Sequence, residues 1–301
     1  CTLFLWNIER SLALLHRIKK ARPAIRIAVG GPEVARDHPL LRNRPEIEVA
    51  VTGEGEWILP RILAASGTRA RDRFANTGWR VGRRRLWGSC PSPEIDLNRS
   101  APPPDWQALA PQADGLAYVE TSRGCPMRCS YCRYPHLRRR LSLLALDAIE
   151  TRIRRLRDRG AREIRFIDPT FNAHPRFTEL IRRLARLNRD GQLSFCAELR
   201  ADRLTPEQAD ALADAHFTEI EAGVQSLAPQ VLRAIRRPTD CARLDRGIRL
   251  LADRRIPVTL DLMIGLPHQT RAHVHEALDW AIGFPASVRI QCLNLLMLPG
   301  T

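Results

Sequence analysis

The sequence predicts an α/β protein: a partial Rossmann-like doubly wound domain followed by a partial (β/α)6 TIM-type barrel. Three observations predict it. Short apolar runs alternate with helical patterns at both ends of the chain, the pattern of parallel sheets covered by helices. Glycines and polar residues gather where the apolar runs end, which is where such folds keep their chemistry. Between the two alternating parts, residues 66–115 hold Pro91, Pro93, Pro102, Pro103, Pro104 and Pro111 and show little periodicity, so they read as a linker.

The elements follow in order. Within residues 1–65, "TLFLW" reads as a strand, and "IERSLALLHRIKKA" sets Ile8, Leu12, Leu15 and Ile18 on one helical face. "IRIAV" is the next strand and ends in Gly30-Gly31-Pro32. "IEVAVTGEGE" is a third and ends in a turn carrying Gly53 and Gly55. From residue 116 to 301 the candidate strands are "LAYVETS", "EIRFID", "LSFCAEL", "TEIEAGV", "PVTLDLMIG" and "SVRIQCLNLL", with helices between them. In "LDAIETRIRRLRDRG", Ile149, Ile153 and Leu156 share a face and Gly160 stops the helix. Another helix starts at "TPEQ", with Thr205 as N-cap, Pro206 at the first helical position and Gln208 closing a capping box.

Composition narrows the class. A chain of 301 residues with 44% hydrophobic and 27% charged residues is ordinary for a globular protein, and is long enough for two domains. No run approaches the roughly 18 to 20 apolar residues that cross a bilayer, and no signal peptide opens the chain. The expectation is a cytoplasmic protein with no membrane partner. The formal charge of +15 suggests nucleic acid, but 46 of the 48 basic residues are Arg, spread along nearly the whole chain. Compositional bias explains that better than a binding surface. The chain begins on Cys1 and ends on Thr301 just after an apolar run, which reads as a piece cut at both ends.

Eight cysteines in a chain this long do not make a disulfide scaffold. Three of them, Cys125, Cys129 and Cys132, crowd into "CPMRCSYC". Gly124 and Pro126 argue against a helix there, so the segment is a loop at a strand end whose thiols converge on a metal. Zinc would need a fourth ligand, with His136 a candidate. An iron–sulfur cluster takes cysteines, and three ligands on a 4Fe–4S cluster leave one iron open. Cys90, Cys196, Cys241 and Cys292 have no motif around them and read as small core residues.

"GCPMRCSYC" resembles the CxxxCxxC signature of the radical S-adenosylmethionine (radical SAM) superfamily, and it has the same place, directly after the first barrel strand. The resemblance covers about residues 116–301. It implies a 4Fe–4S cluster on Cys125, Cys129 and Cys132, whose open iron chelates S-adenosylmethionine. It also implies a reductant such as flavodoxin or ferredoxin, reductive cleavage to a 5′-deoxyadenosyl radical, and a small-molecule or unknown substrate; the spread of the arginines speaks against nucleic acid. This is chemistry that no side chain supplies. For S-adenosylmethionine the resemblance implies Tyr131 beside the adenine, Asp168 near the methionine moiety, and Glu198 and Arg200 at ribose and carboxylate. It places Gln225 and Ser226 at the mouth and Gly265 where backbone approaches adenine.

"GGPEV" followed by "VTGEGE" resembles the C-terminal half of the cobalamin-binding domain that precedes many radical SAM enzymes. That implies cobalamin near Gly30, Gly31, Gly53 and Gly55 in residues 1–65. "CTL" lies where the family has Ser-x-Leu, with Cys1 in place of Ser. The cobalt-ligating DxHxxG motif is not in the chain. "DAHFTE" lacks its glycine, and His216 there reads as an ordinary helix-to-strand turn. His273 and His275 read as surface residues.

The reading that follows is a radical SAM enzyme associated with cobalamin and capable of methyl transfer. Two alternatives stand beside it: a methylthiotransferase-like enzyme acting on tRNA, suggested by "CRYPHLRRR", and a zinc-stabilised module without activity.

Overall fold

The computed structural model describes residues 1–36, 38–56, 58–64, 77–81, 84–87, 96–98, 111–134 and 140–298. The chain divides into two compact units, Cys1–Ser100 and Ala101–Thr301.

In the first unit, helix α1 (Ile8–Ala21) buries Ile8, Leu12 and Leu15, three of the four residues that its periodicity marks. They join Leu3, Ile27, Val29, Leu41 and Ile47 in one apolar cluster. Strand β1 (Ala28–Val29) pairs in parallel with β2 (Val49–Val51), which leads to α2 (Ile58–Ala64). Two expectations change here. "TLFLW" does not form a full strand: Thr2 bridges Gly30 in parallel, and the chain then turns into α1. Residues 66–115 are not only a linker. They contain a hairpin, β3 (Thr77–Val81) and β4 (Arg84–Trp87), which adds antiparallel to β2 and makes the sheet mixed. Trp79 is buried in that hairpin, and its indole N–H donates to Thr77 Oγ1 at 3.0 Å. Two short strands, Thr-Gly-Trp-Arg-Val and Arg-Arg-Leu-Trp, hold no sustained apolar alternation, which is why the sequence hides them. Of the prolines assigned to the linker, all but Pro111 lie outside the described residues, as do Cys90 and His136.

The second unit has the expected alternation. Six parallel strands, β5 (Leu116–Val119), β8 (Glu163–Phe166), β9 (Ser194–Leu199), β10 (Phe217–Gln225), β11 (Val258–Ile264) and β12 (Val288–Asn294), lie side by side in chain order. A short ribbon, β6 (Ser122–Arg123) with β7 (Ser142–Leu143), brackets the cysteine loop. Helices α3 (Leu146–Asp158), α4 (Phe177–Leu187), α5 (Pro206–Asp214), α6 (Pro229–Ala234), α7 (Cys241–Asp253) and α8 (Arg271–Ile282) connect the strands. Ile149, Ile153 and Leu156 of α3 are buried, and Gly160 stops the chain at φ +91°. Thr205 and Gln208 close both halves of the capping box on α5. Phe166, Phe171, Phe195 and Phe217 stack between strands and helices, with neighbouring ring centroids 4.4 to 6.1 Å apart. One face of the sheet is therefore apolar. The other carries Glu198, Glu221 and Asp261, and it is this face that frames the site.

Candidate active site

The site is built from β6 outward. After Ser122–Arg123 the chain turns at Gly124, φ +99°, into the cysteine loop. Asp168, fully buried just past the end of β8, fixes where that turn starts. It accepts from Thr121 N at 3.1 Å, Thr121 Oγ1 at 3.0 Å and Ser122 Oγ at 2.6 Å, and also from Ser122 N. Burial raises its pKa, and these donors pull it back down. Asp168 thus anchors the loop from behind, and its oxygens are used by Thr121 and Ser122.

The loop itself is held from two sides. Ser130 N donates to Ile235 O at 2.9 Å, and Cys132 N to Cys129 O at 3.2 Å. Met127 is buried, and its sulfur receives Arg200 and Arg203, each at 3.8 Å. Arg200 is itself locked by Asp202 (2.8 and 2.5 Å), Pro238 O (2.7 Å) and Thr239. Its backbone is clamped by Asn172, which donates to Arg200 O at 2.9 Å and accepts from Arg200 N at 3.0 Å.

Cys125, Cys129 and Cys132 all line one cavity of about 320 Å³. Cys125 lies 3.6 Å from Thr170 Oγ1, and Arg237 Nη1 donates to Cys129 at 3.6 Å. Burial pushes the Cys132 thiol up, partly offset by a backbone hydrogen bond from Tyr134. Burial also pushes the Tyr131 hydroxyl up, against Arg237, while its ring packs on the cluster of Ala228, Val231, Leu232, Ile235 and Leu266.

The donor set fits a 4Fe–4S cluster. Among the described residues, no group of three or more His, Cys, Asp or Glu side chains could hold a single metal ion. A lone zinc gathers thiolates at about 2.3 Å, whereas a 4Fe–4S cubane takes one thiolate at each of several separate corners. Three thiols around a common cavity, beside the guanidinium of Arg237, suit the cubane.

The structure sorts the other expected contacts. Tyr131, Glu198, Arg200 and Gln225 line the cavity with the cysteines. Asp168, Ser226 and Gly265 are not among its lining residues. Ser226 is buried and accepts from Ala228 N at 3.3 Å, which starts α6. Gly265 has φ +90°, and its N–H donates to Gln269 Oε1 at 2.8 Å. Burial, with the neighbouring Glu221, raises the pKa of Glu198 to about 7.

Sequence reasoning missed Thr170, Gly223, Glu221, Arg237 and Asp261. Gly223 carried a signal, a glycine inside a strand. A methyl group there would lie 2.6 Å from Gln225 Nε2 and 3.1 Å from Arg237 Nη2. Arg237 donates to Gly223 O, and Gln225 takes φ +68° at a register shift in β10. Three buried atoms in this cavity have no hydrogen-bond partner: Gln225 Oε1, Arg237 Nε and Asp261 Oδ1. Such atoms are open to a polar ligand or to ordered water.

In the first unit, Gly31 has φ +107°, and a methyl group on it would meet Leu3 O at 2.6 Å. Gly30 exchanges backbone hydrogen bonds with Cys1 and Leu3. Gly53 turns at φ +75°, and Gly55 has open space around its Cα. His216 is an exposed turn residue at φ 67°, and His275 is exposed. His273 is half-buried and closes the α8 capping box with Thr270. Of the scattered cysteines, Cys196 is buried, Cys241 is half-buried, and Cys1 and Cys292 are exposed, so the core assignment fails for Cys292.

Residues 119–281, more than half of the chain, match the radical SAM superfamily. The chain belongs to the radical SAM superfamily, whose cofactors are a 4Fe–4S cluster and S-adenosylmethionine. It is 28% identical over 269 residues to a tRNA-2-methylthio-N(6)-dimethylallyladenosine synthase of Syntrophotalea carbinolica, covering 82% of this chain and 60% of that protein. The chain thus spans little more than half the length of that curated relative. Its fold resembles the radical S-adenosylmethionine methyltransferase TsrM of Kitasatospora setae, solved with cobalamin and a [4Fe-4S] cluster. There the TM-score is 0.74 at 18% identity, covering 95% of this chain and 58% of that one. It also resembles the cobalamin-dependent S-adenosylmethionine radical enzyme OxsB, with a TM-score of 0.74 at 18% identity, covering 93% and 42%. At those identities the likeness shows a shared fold: a barrel-like α/β unit and a Rossmann-like unit.

Proposed function

We propose that the protein is a cobalamin-associated radical SAM enzyme whose reaction is methyl transfer. The observation that carries the radical SAM part of this reading is one cavity that gathers three loop thiols with the unpartnered atoms of Gln225, Arg237 and Asp261. Cys125, Cys129 and Cys132 would hold the cluster. The cluster supplies the electron that cleaves S-adenosylmethionine, and cobalamin supplies a methyl carrier. The chain's own residues do the rest. Gln225 and Glu198 offer acceptors to ribose hydroxyls, and Tyr131 offers a ring face to adenine. Arg237 keeps positive charge beside the thiolates, and Arg200 holds the loop through Met127. Asp168, Ser226 and Gly265 position the loop, α6 and the end of β11. Cobalamin would lie at the Gly30-Gly31 and Gly53–Gly55 turns, in the crevice that doubly wound sheets use. The domain limits that go with this reading are residues 1–65 for the cobalamin unit and 116–301 for the barrel. Among the described residues no helix is long and apolar enough to cross a membrane, in keeping with a cytoplasmic enzyme served by flavodoxin or ferredoxin.

The test is anaerobic reconstitution of the longer protein with iron and sulfide, followed by reduction with S-adenosylmethionine present. We expect 5′-deoxyadenosine and a cobalamin absorption spectrum that co-purifies with the protein. An intact cluster with no cleavage product ends the radical reading. Cleavage without retained cobalamin ends the cobalamin part alone.

The named relative favours a second reading, methylthiolation of tRNA. Tight tRNA binding that weakens steeply with salt would favour this second reading.

A further inference from the structure

The cysteine loop has two faces. Cys125, Met127, Cys129 and Tyr131 line the cavity, whereas Pro126 and Arg128, which alternate with them, are exposed and do not. The segments packed against the loop divide in the same way. Arg237 lines the cavity and Arg236 is exposed; Arg200 lines the cavity and Arg203 is exposed. The outward arginines are held near one another. Arg203 donates to the sulfur of Met127, the neighbour of Arg128, at 3.8 Å. Ser130 N donates to Ile235 O at 2.9 Å, which sets the loop against the turn that carries Arg236. Arg236 N donates in turn to Arg233 O at 3.1 Å, and Arg233 is exposed as well.

Pairing, not number, sets these four apart from the other arginines. Arg154, Arg176, Arg182, Arg249 and Arg254 each have a carboxylate oxygen at 2.5 to 2.8 Å. Among the described residues, the side chains of Arg128, Arg233 and Arg236 have no ion pair, and that of Arg203 has only the Met127 sulfur. The acids nearest in the chain are engaged: Asp202 binds Arg200, and Asp240 caps α7 by accepting from Arg243 N. Like charges gathered over one loop repel each other, and an acidic partner turns that repulsion into attraction.

We propose that Arg128, Arg203, Arg233 and Arg236 form the docking face for the electron donor, an acidic one-electron carrier protein, on the side of the loop that faces away from the cavity. The need for an electron rests on the radical SAM reading; the place rests on the arginines. A substrate has to enter the cavity, and none of the four arginines lines it. An electron has only to cross the loop, whose inward thiols and outward arginine belong to one short segment. In that step the carrier is oxidised by one electron and the cluster is reduced by one, and no bond forms or breaks.

The experiment titrates oxidised flavodoxin, as the acidic carrier, into the anaerobically reconstituted protein by calorimetry at low and high salt. Binding should weaken about tenfold or more when salt rises from about 50 to about 200 mM. Arg128→Glu combined with Arg236→Glu should weaken low-salt binding at least about tenfold, and should slow reduction of the cluster by reduced flavodoxin. Arg128→Lys with Arg236→Lys should stay within about threefold of wild type, since the charge remains. Arg186→Glu with Arg189→Glu makes the same change in net charge at the C-terminal end of α4, which lies at the other end of the barrel from the loop, and should also stay within about threefold. Unchanged iron content and S-adenosylmethionine affinity in all three double variants show that they fold. Absence of salt-dependent flavodoxin binding by the wild type overturns the proposal. So does an equal loss in the two Glu pairs, which assigns the effect to net charge. Loss of tRNA binding in the Arg128 and Arg236 Glu pair, with flavodoxin binding kept, assigns the face to nucleic acid and also overturns it. Failure of the radical reading registers separately, as absence of iron and sulfide, or of 5′-deoxyadenosine when dithionite is the reductant.

Discussion

Glycines mark strand ends in both units, and they mean different things. At the end of β1, the space that a Gly31 side chain would need is filled by the backbone of Leu3. At the end of β10, the space beside Gly223 is filled by the tips of Gln225 and Arg237, each of which still has a buried atom without a partner. The first arrangement closes the fold on itself, and the second leaves a polar wall waiting for a ligand. A glycine records only that something comes close to the backbone. The atoms that fill its Cβ space decide whether that something is the protein or its ligand.

The largest expected effect breaks the ligand side of this contrast. Cys129→Ala should lose essentially all cluster iron and sulfide after anaerobic reconstitution, and with them any cleavage of S-adenosylmethionine. Cys196→Ala, a buried thiol outside the loop, should keep both. Metal and sulfide analysis of the two variants side by side checks this. A full cluster in Cys129→Ala would refute the ligand assignment.

Next comes the fold side. Gly31→Ala combines a strained φ with a backbone clash and should cost about 3 kcal/mol of stability. Gly55→Ala meets nothing within 4 Å and should stay within about 0.5 kcal/mol. Denaturant midpoints of both variants decide. An innocuous Gly31→Ala would mean that the first segment can move off β1.

Gly223→Ala should show the opposite pattern. The atoms it meets are ends of flexible side chains, so stability should fall by no more than about 1 kcal/mol. Gln225 and Arg237 must move, however, and S-adenosylmethionine affinity should drop about tenfold, worth about 1.4 kcal/mol. Equilibrium binding set against thermal unfolding separates the two effects. Loss of stability without loss of affinity would make Gly223 a fold glycine like Gly31.

How much of this was legible follows the same division. The six barrel strands, the α3 face and the Thr205–Gln208 cap are local patterns, and local physics places them. The three cysteines are close in sequence, so their convergence was readable. Asp168, Ser226 and Gly265 were recognisable as polar or glycine residues at strand ends, but sequence does not say whether such a group faces the cavity or the scaffold. Asp168 faces Thr121 and Ser122, some 46 residues away in the chain. Asp261 and Glu221 meet only through sheet register, and Arg237 reaches Cys129 across 108 residues. Such contacts are non-local and leave no periodic trace. The β3–β4 hairpin was hidden because its two short strands hold no sustained apolar alternation.

The smallest effect sharpens the contrast in charge. The first unit also buries carboxylates, each near a basic side chain: Glu33 lies 3.5 Å from His38 Nε2, and Glu46 lies 3.7 Å from Arg44. Asp261 instead meets Glu221 and Glu198, with only Arg237 acting against them. Its folded pKa is therefore raised, whereas the unfolded value is about 3.9. The folded state then holds a proton that the unfolded state has lost, so this group's contribution to stability declines as pH rises from about 4 into the neutral range. Asp261→Asn removes the titration. In the cluster-free protein its advantage over wild type should be small at pH 5, about one pH unit above the unfolded pKa. At pH 9 it should be more stable by about 1 kcal/mol, the raised pKa offset by imperfect amide hydrogen bonding. Denaturant midpoints at the two pH values give the sign directly. A variant that loses stability relative to wild type on going from pH 5 to pH 9 would show that Asp261 is stabilised as an anion, and the contrast between the two units would disappear.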